Sequence, residues 1–185
     1  MQRNDSYAAP QRAVHWIMAL LIIAQIPAGL YMADLPWPAA GQTSPLKDNL
    51  YELHKSFGMV LFALACLRVA FRVVYGAPAY EASLTPLQRK VSGAVHHTLY
   101  ALIFLVPLTG WIATSMCCAP VNLFYSVPLT LPFSGDLDSA KPIYLVHKWL
   151  AIFMGLLVLA HIGAALMHLI VIKDGVFRRM WPGRS

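Results

Sequence analysis

Charge is scarce in this chain: Asp, Glu, Lys and Arg make up 12% of its residues, about half the share of a typical globular domain. Acids are the scarcer sign, eight against fourteen Lys and Arg, and no Asp or Glu stands in the middle of a long apolar run, where a proton relay would need one. Cysteine is limited to Cys66, Cys117 and Cys118. The absence of any CxxC or CxxCH argues against a zinc site, a thioredoxin-like redox motif and covalent c-type haem attachment. Internal repeats and low-complexity tracts are missing. So is any basic run interleaved with aromatics outside the apolar segments, so the basic balance does not point to nucleic acid.

Apolar residues are plentiful, at 58% of the 185. Crossing a bilayer as helix takes about 20 of them in succession, and four segments qualify, about 12–33, 50–75, 91–116 and 143–172. In hydrocarbon the backbone must satisfy itself, so these are helices. The expectation is an all-α integral membrane four-helix bundle, residues 1–185 forming one membrane domain in contact with lipid. The first apolar run lacks a small-residue cleavage site and reads as a retained span. Pro27 and Pro107 fall inside runs and are expected to kink them. The stretch Ala119–Lys141 reads as a long loop over one end of the bundle.

Charge then assigns the sides. Residues 1–12, 68–90 and the tail from Lys173 hold ten Lys/Arg against three acids, whereas the opposite side holds Lys47, Lys55, Lys141 and Lys148 against five acids. Those sums, +7 and −1, give the net +6. Lys and Arg favour the cytoplasmic side, so both termini are expected there. The basic Arg178–Arg179 tail is expected at anionic headgroups. Cys66 reads as a small hydrophobe, and the adjacent Cys117–Cys118 as unpaired or merely packed cysteines, with oxidation in an oxidising compartment the alternative.

Seven histidines lie on these four helices. An ionisable side chain in a span is costly and marks function by default. On the last helix His147 and His161 are fourteen residues apart, which returns to nearly the same face about 21 Å along the axis. Depth pairs His54 with His147 in one leaflet, and His15 with His161 or His168 in the other. Two imidazoles facing each other across a bundle suit a flat iron porphyrin held from both sides, whereas zinc would want three or four close ligands. One turn after His15, His54, His147 and His161 stand Ala19, Gly58, Ala151 and Ala165, small residues that would let a large ring lie close. Arg68, fourteen residues after His54, is placed to pair with a propionate or to snorkel to the headgroups.

The segments "RAVHWIMALLI", "LHKSFGMVLFALACLRVAFR", "VHHTLYALIFLVPLTG", "VHKWLA", "LAHIGAALMH" and "KDGVFRRMWP" together resemble the bacterial cytochrome b561 family over nearly the whole chain. The resemblance implies a di-haem b cytochrome of the bacterial inner membrane. It places His15 and His161 on one iron and His54 and His147 on the other, thereby choosing His161 over His168. His96 and His168 match further family histidines that are not axial ligands, and His97 has no counterpart.

The resemblance also implies electron transfer from a periplasmic one-electron donor, with superoxide a candidate, to ubiquinone. His96, His168 and Arg89 are the quinone candidates. The alternatives are an electron-carrier subunit that docks a separate dehydrogenase or hydrogenase, and a non-redox structural bundle. Lys55 and Lys148 directly follow His54 and His147, so they are expected either to steer an anionic donor or to anchor the helix ends at the headgroups.

Overall fold

The computed structural model describes residues 6–36, 38–39, 42–117 and 120–182. Four long helices make up the bundle: α1 (Ala9–Asp34), α2 (Pro45–Tyr75), α3 (Pro86–Met116) and α4 (Leu137–Met167), the last continued by one π-helical turn, His168–Ile172. All four are long and apolar enough to cross a membrane. α1 packs chiefly on α2 and α3 on α4, α2 meets α3 along one side, and α1 and α4 meet over a small area. Apolar side chains also face outward, with Leu20 69% and Val73 78% exposed, as helices coated by lipid require.

The helices start earlier than the apolar runs because local capping, not hydropathy, sets their ends. Thr85 accepts from the Gln88 amide while the Gln88 side chain accepts from the Thr85 amide, a reciprocal pairing that opens α3 five residues before its apolar run. Asp136 accepts from Ser139 at 2.8 Å and opens α4. Prolines stand in the first turn of α1, α2 and α3, where no amide donor is needed. Pro27 and Pro107 lie within α1 and α3, which continue through them.

Part of the expected long loop is a β-hairpin. Strand β1 (Val121–Leu123) pairs antiparallel with β2 (Val127–Leu129). The turn holds Phe124 at φ 45° and Tyr125 at φ 64°, the left-handed pair that a tight hairpin demands and that non-glycine residues adopt at a cost. Anchors to the helices hold it there. The Phe124 amide donates to Ser56 Oγ at 2.8 Å, Trp111 Nε1 to the Leu129 carbonyl at 2.8 Å, and Tyr125 to Asn49 at 2.9 Å. Of the cysteine pair, Cys118 lies outside the described residues, and Cys66 faces outward from α2.

The opposite end of the bundle brings the start of α1 beside the segment after α4, since the Tyr7 amide donates to the Arg179 carbonyl at 3.2 Å. Lys173 ends the π turn in the left-handed region at φ 58°. A side chain at Gly175 would meet Glu81 Oε2 at 2.8 Å, and Glu81 instead pairs with Arg179 at 2.6 Å. Arg12 Nη1 donates to the Trp181 carbonyl at 3.1 Å and Trp16 Nε1 to the Met180 carbonyl at 2.6 Å. Arg179 is thus held by protein, and Arg178 is exposed. The bundle thus has a hairpin face and, opposite it, a terminal face.

Candidate functional site

Position along each helix explains the interior. Helical positions fourteen apart share a face, and the midpoint, seven on, nearly does. His15 and Gly29 stand fourteen apart on α1, as do His54 and Arg68 on α2, His96 and Gly110 on α3, and His147 and His161 on α4. Near the hairpin face the four helices present Gly29, His54, Gly110 and His147. Near the terminal face they present His15, Arg68, His96 and His161. The midpoints are Ile22, Leu61, Ile103 and Met154, all buried in the one apolar cluster that separates the two levels.

The structure brings the histidines together in two pairs. His54 and His147 have ring centres 6.2 Å apart with planes at 88°, and His15 and His161 have centres 6.3 Å apart with planes at 84°. A metal–imidazole nitrogen bond of about 2.0 Å, with about 1.1 Å from nitrogen to ring centre on each side, sets two rings roughly 6.2 Å apart across one ion. Both pairs meet that spacing. His96 lies 5.2 Å from His161, too close to share an ion with it from the opposite side. A porphyrin iron therefore fits between His54 and His147 and between His15 and His161.

Glycine makes the hairpin-side pair possible. A side chain at Gly29 would meet His54 Cε1 at 2.9 Å, and one at Gly110 would meet His147 Cε1 at 3.0 Å and Nδ1 at 3.1 Å. With no side chain at Gly110, the His147 ring reaches the carbonyl one turn earlier on α3: Nδ1 lies 2.8 Å from Val106 O. That nitrogen carries the proton and donates, leaving Nε2 as the lone-pair donor for a metal. His54 Nδ1 is buried with no hydrogen-bond partner among the described residues, a condition costing about 1–3 kcal/mol when left uncompensated. Gly58, one turn from His54, faces open space, as a ring lying along α2 requires. Sequence reading missed Gly29, Gly110 and the Val106 carbonyl; the fourteen-residue spacing from His15 and His96 was the signal that could have found the two glycines.

The remaining candidates are placed as follows. Arg68 is half-buried with its Cζ 5.4 Å from the Tyr100 ring centre. His96 and His97 each turn Nδ1 back onto a carbonyl of their own helix, Ser92 and Gly93, at 2.7 Å. His168 is buried, with Nδ1 2.8 Å from Asp174 Oδ2, which also accepts from Ser83 Oγ at 2.7 Å. Burial works to raise the Asp174 carboxyl, but bonds from Ser83, the Val176 amide and His168 outweigh it and hold it below the usual carboxylate range. Arg89 donates to the Leu84 carbonyl at 3.0 Å, on the loop before α3. Among the described residues no hydrogen bond or ring contact joins His96, His168 and Arg89 to one another.

Lys55 differs from expectation. Its side chain is 7% exposed and bonded to Glu52, with a further bond to the Pro120 carbonyl at 3.1 Å. The i, i+3 spacing of Glu52 and Lys55 and the hairpin above them enclose the charge. Lys148 is exposed.

If each pair held an iron porphyrin, its crossed imidazole planes would leave two iron d orbitals nearly degenerate, axial ligation being one of the protein's levers on a haem. Frozen oxidised protein carrying iron at both levels would then give strongly anisotropic low-spin electron paramagnetic resonance signals with a large gmax. The rhombic spectrum of parallel rings would contradict the angles given above.

A family model described as prokaryotic cytochrome b561 matches residues 6–183. Among curated proteins, cytochrome b561 homolog 2 of Escherichia coli K12 is 30% identical over 95% of this chain and 91% of its own length. Cytochrome b562 of Cereibacter sphaeroides is 28% identical, with both chains fully covered. The probable superoxide oxidase CybB of Yersinia pestis is 23% identical over 97% of each.

Proposed function

Because this chain belongs to the prokaryotic cytochrome b561 family, membrane b-type cytochromes acting in electron transfer, we propose that it holds two haems b and moves electrons across the bacterial inner membrane from a one-electron donor at the hairpin face to a quinone at the terminal face. The observation that carries this reading is the pair of histidine couples, 6.2 Å and 6.3 Å between ring centres, stacked at two levels of one bundle. Haem b supplies a one-electron couple when bound. His54 and His147 would hold one group and His15 and His161 the other. Ile22, Leu61, Ile103 and Met154 keep water out of the space between. The terminal face, rich in Lys and Arg, is the cytoplasmic one.

Superoxide, named in the description of the Yersinia pestis relative, is the donor we propose. Two superoxide anions lose one electron each to become dioxygen. One ubiquinone takes those two electrons and two cytoplasmic protons to become quinol. With Lys55 engaged by Glu52, Lys148 is the exposed cation nearest the hairpin-side pair in sequence. His96 and His168 are the donors proposed for the quinone carbonyls, with Arg89 at the margin of that site.

The test mixes superoxide rapidly with purified protein, with and without a soluble ubiquinone analogue. Haem reduction followed by quinol formation is expected. A His96→Ala/His168→Ala variant that retains both haems is expected to be reduced at the normal rate and to form quinol at least ten times more slowly. Haems that stay reduced when quinone is added to the native protein would overturn the reading.

A further inference from the structure

The fourteen-residue register gives the two levels different walls. Where α1 and α3 present Gly29 and Gly110 to the hairpin-side pair, α2 and α3 present Arg68 and His96 to the terminal-side pair. Arg68 is half-buried on the bundle flank, stacked on Tyr100, and it makes no ion pair with a carboxylate among the described residues. The cations of the hairpin side are differently disposed. Lys55 is neutralised by Glu52, Lys141 by Asp138, Lys47 is buried with a bond to the Leu35 carbonyl, and Lys148 is exposed. An exposed charge is screened by solvent and salt, whereas a half-buried one in an apolar bundle acts over a longer range.

An iron porphyrin between two neutral imidazoles carries one more positive charge oxidised than reduced. A cation beside it therefore favours the reduced form and raises the reduction potential, one of the protein's controls over such centres. We propose that Arg68 makes the terminal-side haem the higher in potential, so that the fold sets a downhill direction for electrons from the hairpin face to the terminal face. This inference rests on the two-haem reading above. It supplies what an electron moving toward the negative side of an energised membrane needs, a chemical gradient opposing the electrical one.

Arg68 is a positioning residue in this scheme, so its test reads a potential. In a spectroelectrochemical titration of purified protein, two components are expected, and His54→Ala assigns the one that survives to the terminal-side pair. That surviving component is expected to be the higher one. Arg68→Gln is expected to lower it and narrow or invert the gap, with the hairpin-side component unmoved. Arg68→Lys, which keeps the charge, should restore most of the gap. If Arg68→Gln binds both haems and leaves both midpoints in place, or if the terminal-side component of the native protein is the lower, the inference is overturned. The native ordering decides even if Arg68→Gln loses haem. One component with one haem per chain would instead defeat the two-haem reading beneath it.

Discussion

Alanine at His147 is expected to halve the haem bound per chain and to leave the terminal-side spectrum in place. His54 and His147 are the two histidines that face each other at the hairpin-side level among the described residues. Their neighbours there, Gly29 and Gly110, have no side chain to substitute as ligand. At the terminal-side level His15 and His161 are a separate couple, divided from the first by a buried layer of Ile22, Leu61, Ile103 and Met154, so loss at one level need not propagate. His161→Ala should give the mirror result, although His96, 5.2 Å from His161, stands close enough to leave a weak, altered signal. Haem stoichiometry by pyridine haemochrome, with reduced-minus-oxidised spectra, reads both outcomes. Two haems retained in His147→Ala would remove His147 from the ligand set.

The second large effect comes from residues that touch no metal. Gly29→Ala places a methyl 2.9 Å from His54 Cε1, closer than packed carbons tolerate, and Gly110→Ala places one 3.0 Å from His147 Cε1. Alanine favours a helix over glycine by about 0.5–1 kcal/mol, so the helices themselves should be strengthened. Any haem loss must then come from crowding of the imidazoles. We expect a several-fold drop in hairpin-side haem for Gly29→Ala, a milder one with a shifted spectrum for Gly110→Ala, and near-complete loss for valine at either position. Gly163→Ala, where a methyl meets nothing within 4 Å, is the control and should bind normally. Unchanged haem content and spectrum in Gly29→Val would show that the ring does not need this space.

Much of this protein is legible without coordinates because the bilayer simplifies the problem. A long apolar run in hydrocarbon can only be a helix, so the four spans follow from composition alone. The fourteen-residue spacing of His147 and His161 is a property of helical pitch, so two levels on α4 also follow. The asymmetry of Lys and Arg sets the sidedness we propose by the same kind of one-dimensional reasoning.

What the sequence could not decide are the facts that depend on two helices at once. Helix ends moved outward to Pro86 and Leu137 because capping by Thr85 and Asp136 is a local geometry that hydropathy does not see. The stretch read as a loop folds into the hairpin of β1 and β2 because Ser56 and Trp111, distant in sequence, hold its backbone. Lys55 looked like an exposed steering charge until packing set it against Glu52 and the Pro120 carbonyl. Gly29 and Gly110 have no side chain and so no chemistry to read; their meaning is the distance to an imidazole on another helix. Pitch fixes which residues share a face, but only packing fixes which faces meet, and the distances between histidines belong to that second decision.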